Sequence, residues 1–410
     1  MIARGVDGRP DRLTPLRRNR DFLLLWCGQT VSVLGSRASS VAFPLLVLNE
    51  TQSAGKAGVA GFVATLPYLL FFLPSGVVVD RCDRRRLMFL CEASRAVALG
   101  SIPAALFLDR LTFGQILLVG FVEGTAFVFF SVAEKASLPM IVPAAQIPGA
   151  LSVNEARDRA AGWVGRTLGG WMFSLSRSVP FLVDAVSYAV SLLTLAAIRS
   201  RLGPQREDRS GTPLHELAEG MRFLWRQPFI RLSVLLVGIV NIVFEALTLV
   251  LIVLMRDRGD SGGVIGLVLG CLGAGGMAGA FAAPSFQRRA RPGTIVIGAT
   301  WGWTALLVLQ FTFSHPLALS ALVFMMAFVG TLWNVVVVSY QYTIIPARLL
   351  GRVKSGILLV AWGTIPLGSI VAGWLVESMG AEPTLAALAA TMLCVAILAT
   401  SSSTVRSASK

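Results

Sequence analysis

Few residues in this sequence can do chemistry, and most of them are charged side chains set inside long apolar runs. Arg37, Glu123, Arg166 and Glu245 each interrupt a stretch built mainly of Leu, Val, Ala, Gly and Phe. A charged group in such a setting costs roughly 2.5 to 3.5 kcal/mol to insert into a bilayer, so it is a functional candidate by default. Burial favours the neutral form of a carboxyl and a nearby cation favours the charged form. Glu123 or Glu245 is therefore suited to taking up a proton and releasing it when Arg37 or Arg166 approaches; the alternative is a static buried pair that fixes packing. Asp184, with Arg177 nearby, reads as structural. Glu92 and Arg95, one helical turn apart, read as an i, i+3 pair supporting the adjacent turn.

That turn, Gly76 to Arg86, is the densest concentration of charge, with Asp80, Arg81, Asp83, Arg84, Arg85 and Arg86 between two apolar runs. Gly76 lacks a side chain and suits close helix approach. Asp80 is placed to face a helix N-terminus, and Arg81 and Arg84 to pair with carboxylates or helix-end carbonyls. Gly76, Asp80, Arg81 and Arg84 thus read as a conformational latch, with Arg85 and Arg86 as positive anchors.

Other chemistries find no support. The glycine-rich run from Gly270 to Gly279 lies in an apolar stretch and lacks a Lys-Ser/Thr ending, so it reads as helix packing and not as a phosphate loop. His215 and His315 are isolated, and the five cysteines have no CxxC spacing. No nucleophile with a base, no metal cluster and no cofactor site is expected.

The elements that must hold these charges follow from composition. The chain has 410 residues, 55% hydrophobic and 14% charged, with mean hydropathy +0.71, too apolar for a soluble protein. A helix needs about 20 apolar residues to cross a bilayer. That length picks out twelve spans, near 22–48, 57–79, 87–108, 112–133, 153–175, 179–198, 231–255, 263–286, 294–313, 317–339, 356–378 and 382–400. Lys and Arg crowd the termini and alternate loops, while the other loops carry only Lys56, Arg110, Arg177, Arg256 and Arg258. The formal charge of +14 therefore reports orientation and contact with anionic lipid, not nucleic acid. Both termini are expected in the cytoplasm, and no cleaved signal is read.

The chain divides into a basic N-terminus (1–21), a six-span bundle (22–198), a central loop (199–230), a second six-span bundle (231–400) and a tail (401–410). Within the central loop Leu214, Leu217, Met221 and Leu224 recur at helical spacing opposite Glu216, Glu219, Arg222 and Arg226, as an amphipathic helix on the headgroups would show. The segment from Val142 to Ser152 echoes that from Ile345 to Ser355, and the charged turn has a weaker counterpart in Gln287 to Arg291. Such duplication is common among secondary transporters.

With Gly76, Asp80, Arg81, Arg84 and Arg85, the segment from Pro180 to Tyr188, that from Phe223 to Pro228, and Leu350 to Val353, the chain resembles the major facilitator superfamily, specifically twelve-helix exporters related to macrolide efflux proteins. The resemblance implies an all-α membrane fold of two pseudo-symmetric six-helix bundles. It implies spans 1, 4, 7 and 10 around a cavity, spans 2, 5, 8 and 11 between the halves, and proton-driven export by alternating access. Relatives often carry an acidic residue where this chain has Ser36, and a Gly-Pro where it has Gly165 and Arg166. Asn241, one turn from Glu245, and Trp333 with Asn334 in span 10 are expected to line the cavity. The cargo would be a hydrophobic or amphipathic drug, antibiotic or secondary metabolite, carried by a monomer in the plasma membrane with protons and lipid as its other partners. Rival readings are siderophore or lysolipid transport, uptake, or a non-transporting sensor or scaffold.

Overall fold

In a computed structural model, which describes residues 15–200, 202–203, 213–289, 291–346 and 349–406, the chain is helical, with no strand among those residues. The first half holds α1 (Arg20–Thr51), α2 (Ala54–Arg81), α3 (Arg84–Phe107), α4 (Phe113–Ile141), α5 (Ile147–Leu175) and α6 (Val179–Ala197). A shorter helix, α7 (Pro213–Arg226), leads to α8 (Pro228–Asp257), α9 (Gly262–Arg289), α10 (Pro292–Thr312), α11 (Pro316–Ile344), α12 (Leu350–Gly363), α13 (Ile365–Met379), α14 (Ala381–Ser401) and the short α15 (Ser403–Arg406). Arg4, Arg9, Arg12, Arg201, Arg206, Arg209 and the side chains of Leu214, Glu216, Leu217 and Gln287 to Arg289 lie outside the described residues.

Among the described residues eleven runs are long and apolar enough to span a membrane, taking Arg352–Met379 as one. The fifth span falls short of that apolarity, because Glu155, Arg157, Asp158, Arg159 and Arg166 interrupt α5. It packs lengthwise between α1 and α9 all the same. The eleventh span is broken between α12 and α13 at Thr364, just before Pro366, where the ring and the missing N–H interrupt the helical ladder.

Caps set several of the starts. Asn19, Ser53, Asp83 and Thr112 each accept a backbone N–H from the first turn of α1, α2, α3 and α4, at 3.1, 3.1, 3.0 and 3.2 Å. Asp83, the second aspartate of the charged turn, is thus what begins α3.

Among the described residues the halves meet chiefly through two helix pairs, α2 with α13 and α5 with α9. Both contacts run through glycine. A Cβ placed on Gly58 would sit 2.6 Å from the Cα of Gly373, and one on Gly266 would sit 2.8 Å from the Cα of Gly170, so only hydrogen fits where the backbones meet. The glycine-rich run of α9 packs as its composition predicts, Gly273 against Gly162 and Trp163 of α5 and Gly279 against Phe328 of α11.

The charged turn marks one face of the molecule, here the hairpin face. Asn19 donates to the Ile141 carbonyl at 2.8 Å and Ser200 N donates to Asp21 at 2.8 Å, gathering the ends of α1, α4 and α6 there. On the opposite face the halves are tied by Arg256 donating to Gln52 at 2.7 Å, and by Glu377 accepting from Gly55 N at 2.9 Å and Ser53 Oγ at 3.2 Å. The exposed part of α7 apart, its Met221 and Leu224 pack on protein, with Ile230, Val234, Leu349 and Val353.

Candidate functional site

Between the halves lies a cavity of about 240 Å³. Its walls come from α1 (Ser36, Ser39, Ser40, Phe43), α2 (Gly61, Thr65, Tyr68), α3 (Leu99), α4 (Gly120, Glu123, Gly124), α6 (Asp184), α8 (Glu245, Thr248, Leu249, Ile252) and α13 (Ser369). The lining is mainly apolar with a few hydroxyls and three carboxyls, which suits an organic molecule with limited polar groups. Glu123 and Glu245, the two carboxyls singled out from sequence, reach this one space from opposite halves. Ser369 donates to Glu245 at 3.1 Å.

Glu123 is held by a residue that sequence spacing does not connect to it. Arg95 on α3 donates twice to it, Nη2 to Oε1 at 2.5 Å and Nε to Oε2 at 3.2 Å, the bidentate fork a planar guanidinium makes with a carboxylate. The same guanidinium stands 3.7 Å from Glu92 and 4.4 Å from the Tyr188 ring centroid. Tyr188 donates to Glu123 at 3.1 Å and shares a 2.8 Å hydrogen bond with Ser36. Glu92 accepts from Gln29 at 3.4 Å and from Ser32 at 3.3 Å. Glu92, Arg95 and Tyr188 are all buried. The Glu92 and Arg95 pair therefore belongs to a polar network behind the cavity wall and does not brace the charged turn.

Arg37 and Arg166, expected to be the cationic partners, make no side-chain hydrogen bond or ion pair within 4.0 Å among the described residues. Asp184 does not pair with Arg177, the cation near it in the sequence. Arg177 pairs with Glu50 at 2.5 Å, and Asp184 is buried at the cavity wall, accepting from Ser187 at 3.2 Å.

The contacts of Arg84 and Arg85 in the charged turn, among the described residues, lie within their own half. Arg84 is buried, 3.8 Å from Asp80 one turn back, with Nη1 at 2.8 Å from the Met140 sulfur of α4. Arg85 binds the helix-end carbonyls, donating Nε to Leu195 at 3.0 Å and Nη2 to Ala196 at the end of α6. That task was expected of Arg81 or Arg84; chain direction at the start of α3 gives it to Arg85 instead. Arg81 is exposed, and Gly76 has open space where its side chain would be, so no close helix approach occurs there.

Residues 11–409 match the family described as transmembrane secretion effector. The chain belongs to that family of the major facilitator superfamily. Among its relatives is the multidrug efflux pump Tap of Mycolicibacterium fortuitum, 27% identical over 94% of this chain and 96% of that protein. Macrolide efflux protein A of Streptococcus pyogenes is 26% identical over 53% of this chain and 54% of its own length. Among solved structures, the nucleoside transporter NupG superposes with a TM-score of 0.73 at 12% identity, covering 93% of this chain and 98% of that one. An inward-facing bacterial homologue of ferroportin gives 0.70 at 15% identity, covering 94% and 98%. The fold is the major facilitator fold.

The layout implied by the superfamily fits in part. Spans 2 and 11, and 5 and 8, do join the halves, and spans 1, 4 and 7 do line the cavity. Span 10 supplies no wall residue among those described, while spans 2, 3, 6 and 11 do. Trp333 is buried against Trp303, ring centroids 4.9 Å apart, because a large aromatic gains most by packing within its own bundle. Asn334 is exposed. Asn241 is spent on the Ala361 carbonyl at 2.7 Å, three residues before the break at Thr364. None of the three lines the cavity. Tyr68 was missed, although it stands in an aromatic-rich stretch of span 2.

Proposed function

We propose that the protein is a secondary active transporter that exports hydrophobic or amphipathic small molecules, such as drugs, antibiotics or secondary metabolites, by alternating access driven by inward proton flow. The observation that carries this is the cavity between the halves, apolar apart from hydroxyls and carboxyls, with Glu123 and Glu245 contributed from opposite sides. The names of the relatives, multidrug efflux pump and macrolide efflux protein, support the direction and the class of cargo. The hairpin face is the cytoplasmic face of the plasma membrane, both termini lie there, and the working unit is a monomer in contact with lipid.

In this mechanism a proton reaching Glu123 neutralises it, and the Arg95 guanidinium transfers its attraction to Glu92, already 3.7 Å away. Tyr188 follows, because its hydroxyl is bonded to Glu123, and Ser36 follows Tyr188, to which its own hydroxyl is bonded. Loss of the proton restores the bidentate pair. Glu245, bonded to Ser369 of α13, offers the same cavity a second carboxyl from the other half. The charged turn, through Asp80, Arg81 and Arg84, steadies the cytoplasmic ends of α2, α3 and α4 while the halves rock.

Everted membrane vesicles loaded with a pH-sensitive dye and given a macrolide or an amphipathic dye test this. Cargo-induced proton release is expected for the wild type, and a loss of about 100-fold or more in coupled flux for Glu123→Gln, within the range usual for removing a proton-transfer group. Cargo movement indifferent to an imposed proton gradient would overturn the coupling.

A further inference from the structure

Of the three carboxyls at the cavity wall, Glu123 has a cation of its own: Arg95 donates to it twice and Tyr188 once. Glu245 and Asp184 have no Lys, Arg or His within 4.0 Å among the described residues, and none of those residue types lines the cavity. Charges held away from water are ordinarily paired, so this wall is short of positive charge. Asp184 is closed in, with no exposed surface, Oδ1 accepting from Ser187 and Oδ2 without a hydrogen bond. Glu245 is half-buried and is therefore the unpaired carboxyl that a molecule in the cavity can reach.

The packing around Glu245 holds it in one place. Gly368 of α13 lies so close that a Cβ there would be 2.7 Å from the Glu245 Cβ and 3.2 Å from its Cγ, which confines the stem. Ser369, the next residue, donates to Oε1 at 3.1 Å, while Oε2 has no hydrogen bond among the described residues. The α2 face that meets Ser369 includes Gly61, where a Cβ would be 3.0 Å from the Ser369 Oγ. It continues at helical spacing through Thr65 and Tyr68, both on the cavity wall. A fixed carboxylate with one open oxygen thus shares the cavity with a hydroxyl and an aromatic ring. Those are the groups that recognise an ammonium, through charge-assisted hydrogen bonding and the electron-rich face of a ring.

We propose that Glu245, aimed by Gly368 and Ser369, is the acceptor for a protonated amine on the cargo, so that the preferred cargo is an amphipathic organic amine. The inference rests on the transport reading for its biological meaning, but it concerns binding and is tested by binding. The two carboxyls then divide the work: Glu123, with Arg95 beside it, handles the proton, and Glu245 takes the ammonium. The cargo supplies the positive charge that the wall lacks, and its apolar body lies toward Phe43, Leu249 and Ile252, which line the same space.

The test compares three fluorescent probes with one dansyl body on purified protein in micelles of a neutral detergent: dansylcadaverine as the amine, dansyl pentylamide as the neutral match and dansyl aminohexanoate as the anion. Dansylcadaverine is expected to bind wild type about tenfold or more tighter than Glu245→Gln, the scale of losing one charge-assisted hydrogen bond. The neutral probe should bind both alike, and the anion should bind the Gln variant as well as wild type or better. Glu245→Asp should keep the wild-type order of the three probes. Ser369→Ala, which frees the carboxylate without removing it, should weaken the amine alone by several-fold, and it carries the same comparison should Glu245→Gln fail to fold. Equal loss of all three probes, or no loss of the amine, overturns the subsite. Vesicle transport is measured separately: amine-selective binding without export of dansylcadaverine would sink the exporter reading and leave the subsite standing, while export with no amine preference would do the reverse.

Discussion

At the scale of single residues the decisive group is Arg95. It joins Glu92 and Glu123 across two helices, itself buried with Glu92 while Glu123 stands at the cavity wall, and removing the cation strands two carboxylates. Breaking a buried pair from one side costs about 3 to 5 kcal/mol, so Arg95→Ala should lower the melting temperature in detergent markedly. Adding Glu92→Gln to it should recover part of the loss, because one of the stranded charges is then gone; a variant lacking Arg95 that melts like wild type would refute the pairing. The sequence gives away Glu123 and Glu245, since each stands alone in an apolar run. It does not give away their partners: Arg95 is 28 positions from Glu123 in the chain, and no helical period connects them.

At the scale of elements the contacts that matter are those of α2 with α13 and α5 with α9, made by bare backbone. Gly58→Val would push α2 off Gly373 near the face that Gln52 and Arg256 close. In a cysteine-free background, Gln52→Cys should react several-fold faster with a membrane-impermeant maleimide when Gly58→Val is present, small-residue packing being what lets such helices touch. Unchanged labelling would mean that this seam does not set closure. The helices themselves are legible, because hydropathy over about 20 residues is a strong signal. The break between α12 and α13 is announced only by Pro366, and the pattern of α7 shows an apolar face without saying that protein covers it.

At the scale of the whole molecule, Trp362 of α12 meets Tyr68, Phe72 and Phe127 of the other half, with ring centroids 5.6, 5.4 and 6.3 Å apart. Tyr68 and Phe72 follow the cavity-lining part of α2 toward Arg81, so these rings cover the cavity on its hairpin side. Trp362→Ala should therefore speed maleimide labelling of a Ser40→Cys reporter from the hairpin face of everted vesicles several-fold, while leaving labelling from the other face unaltered. Equal rates with and without Trp362 would remove these rings as a barrier.

By itself the sequence determined that this is a membrane protein of two like halves, since hydrophobic length, charge asymmetry and an internal echo are properties of the chain read in order. It also marked the few charges worth attention, because an ionisable group in an apolar run is conspicuous wherever the helix ends up. Only the tertiary structure decided which charges meet, Arg95 with Glu123 and Arg85 with the end of α6, and that Trp333 lies in the core instead of the cavity. Each of those depends on which face a helix turns to its neighbour, and that rotation is set by packing among all the helices at once.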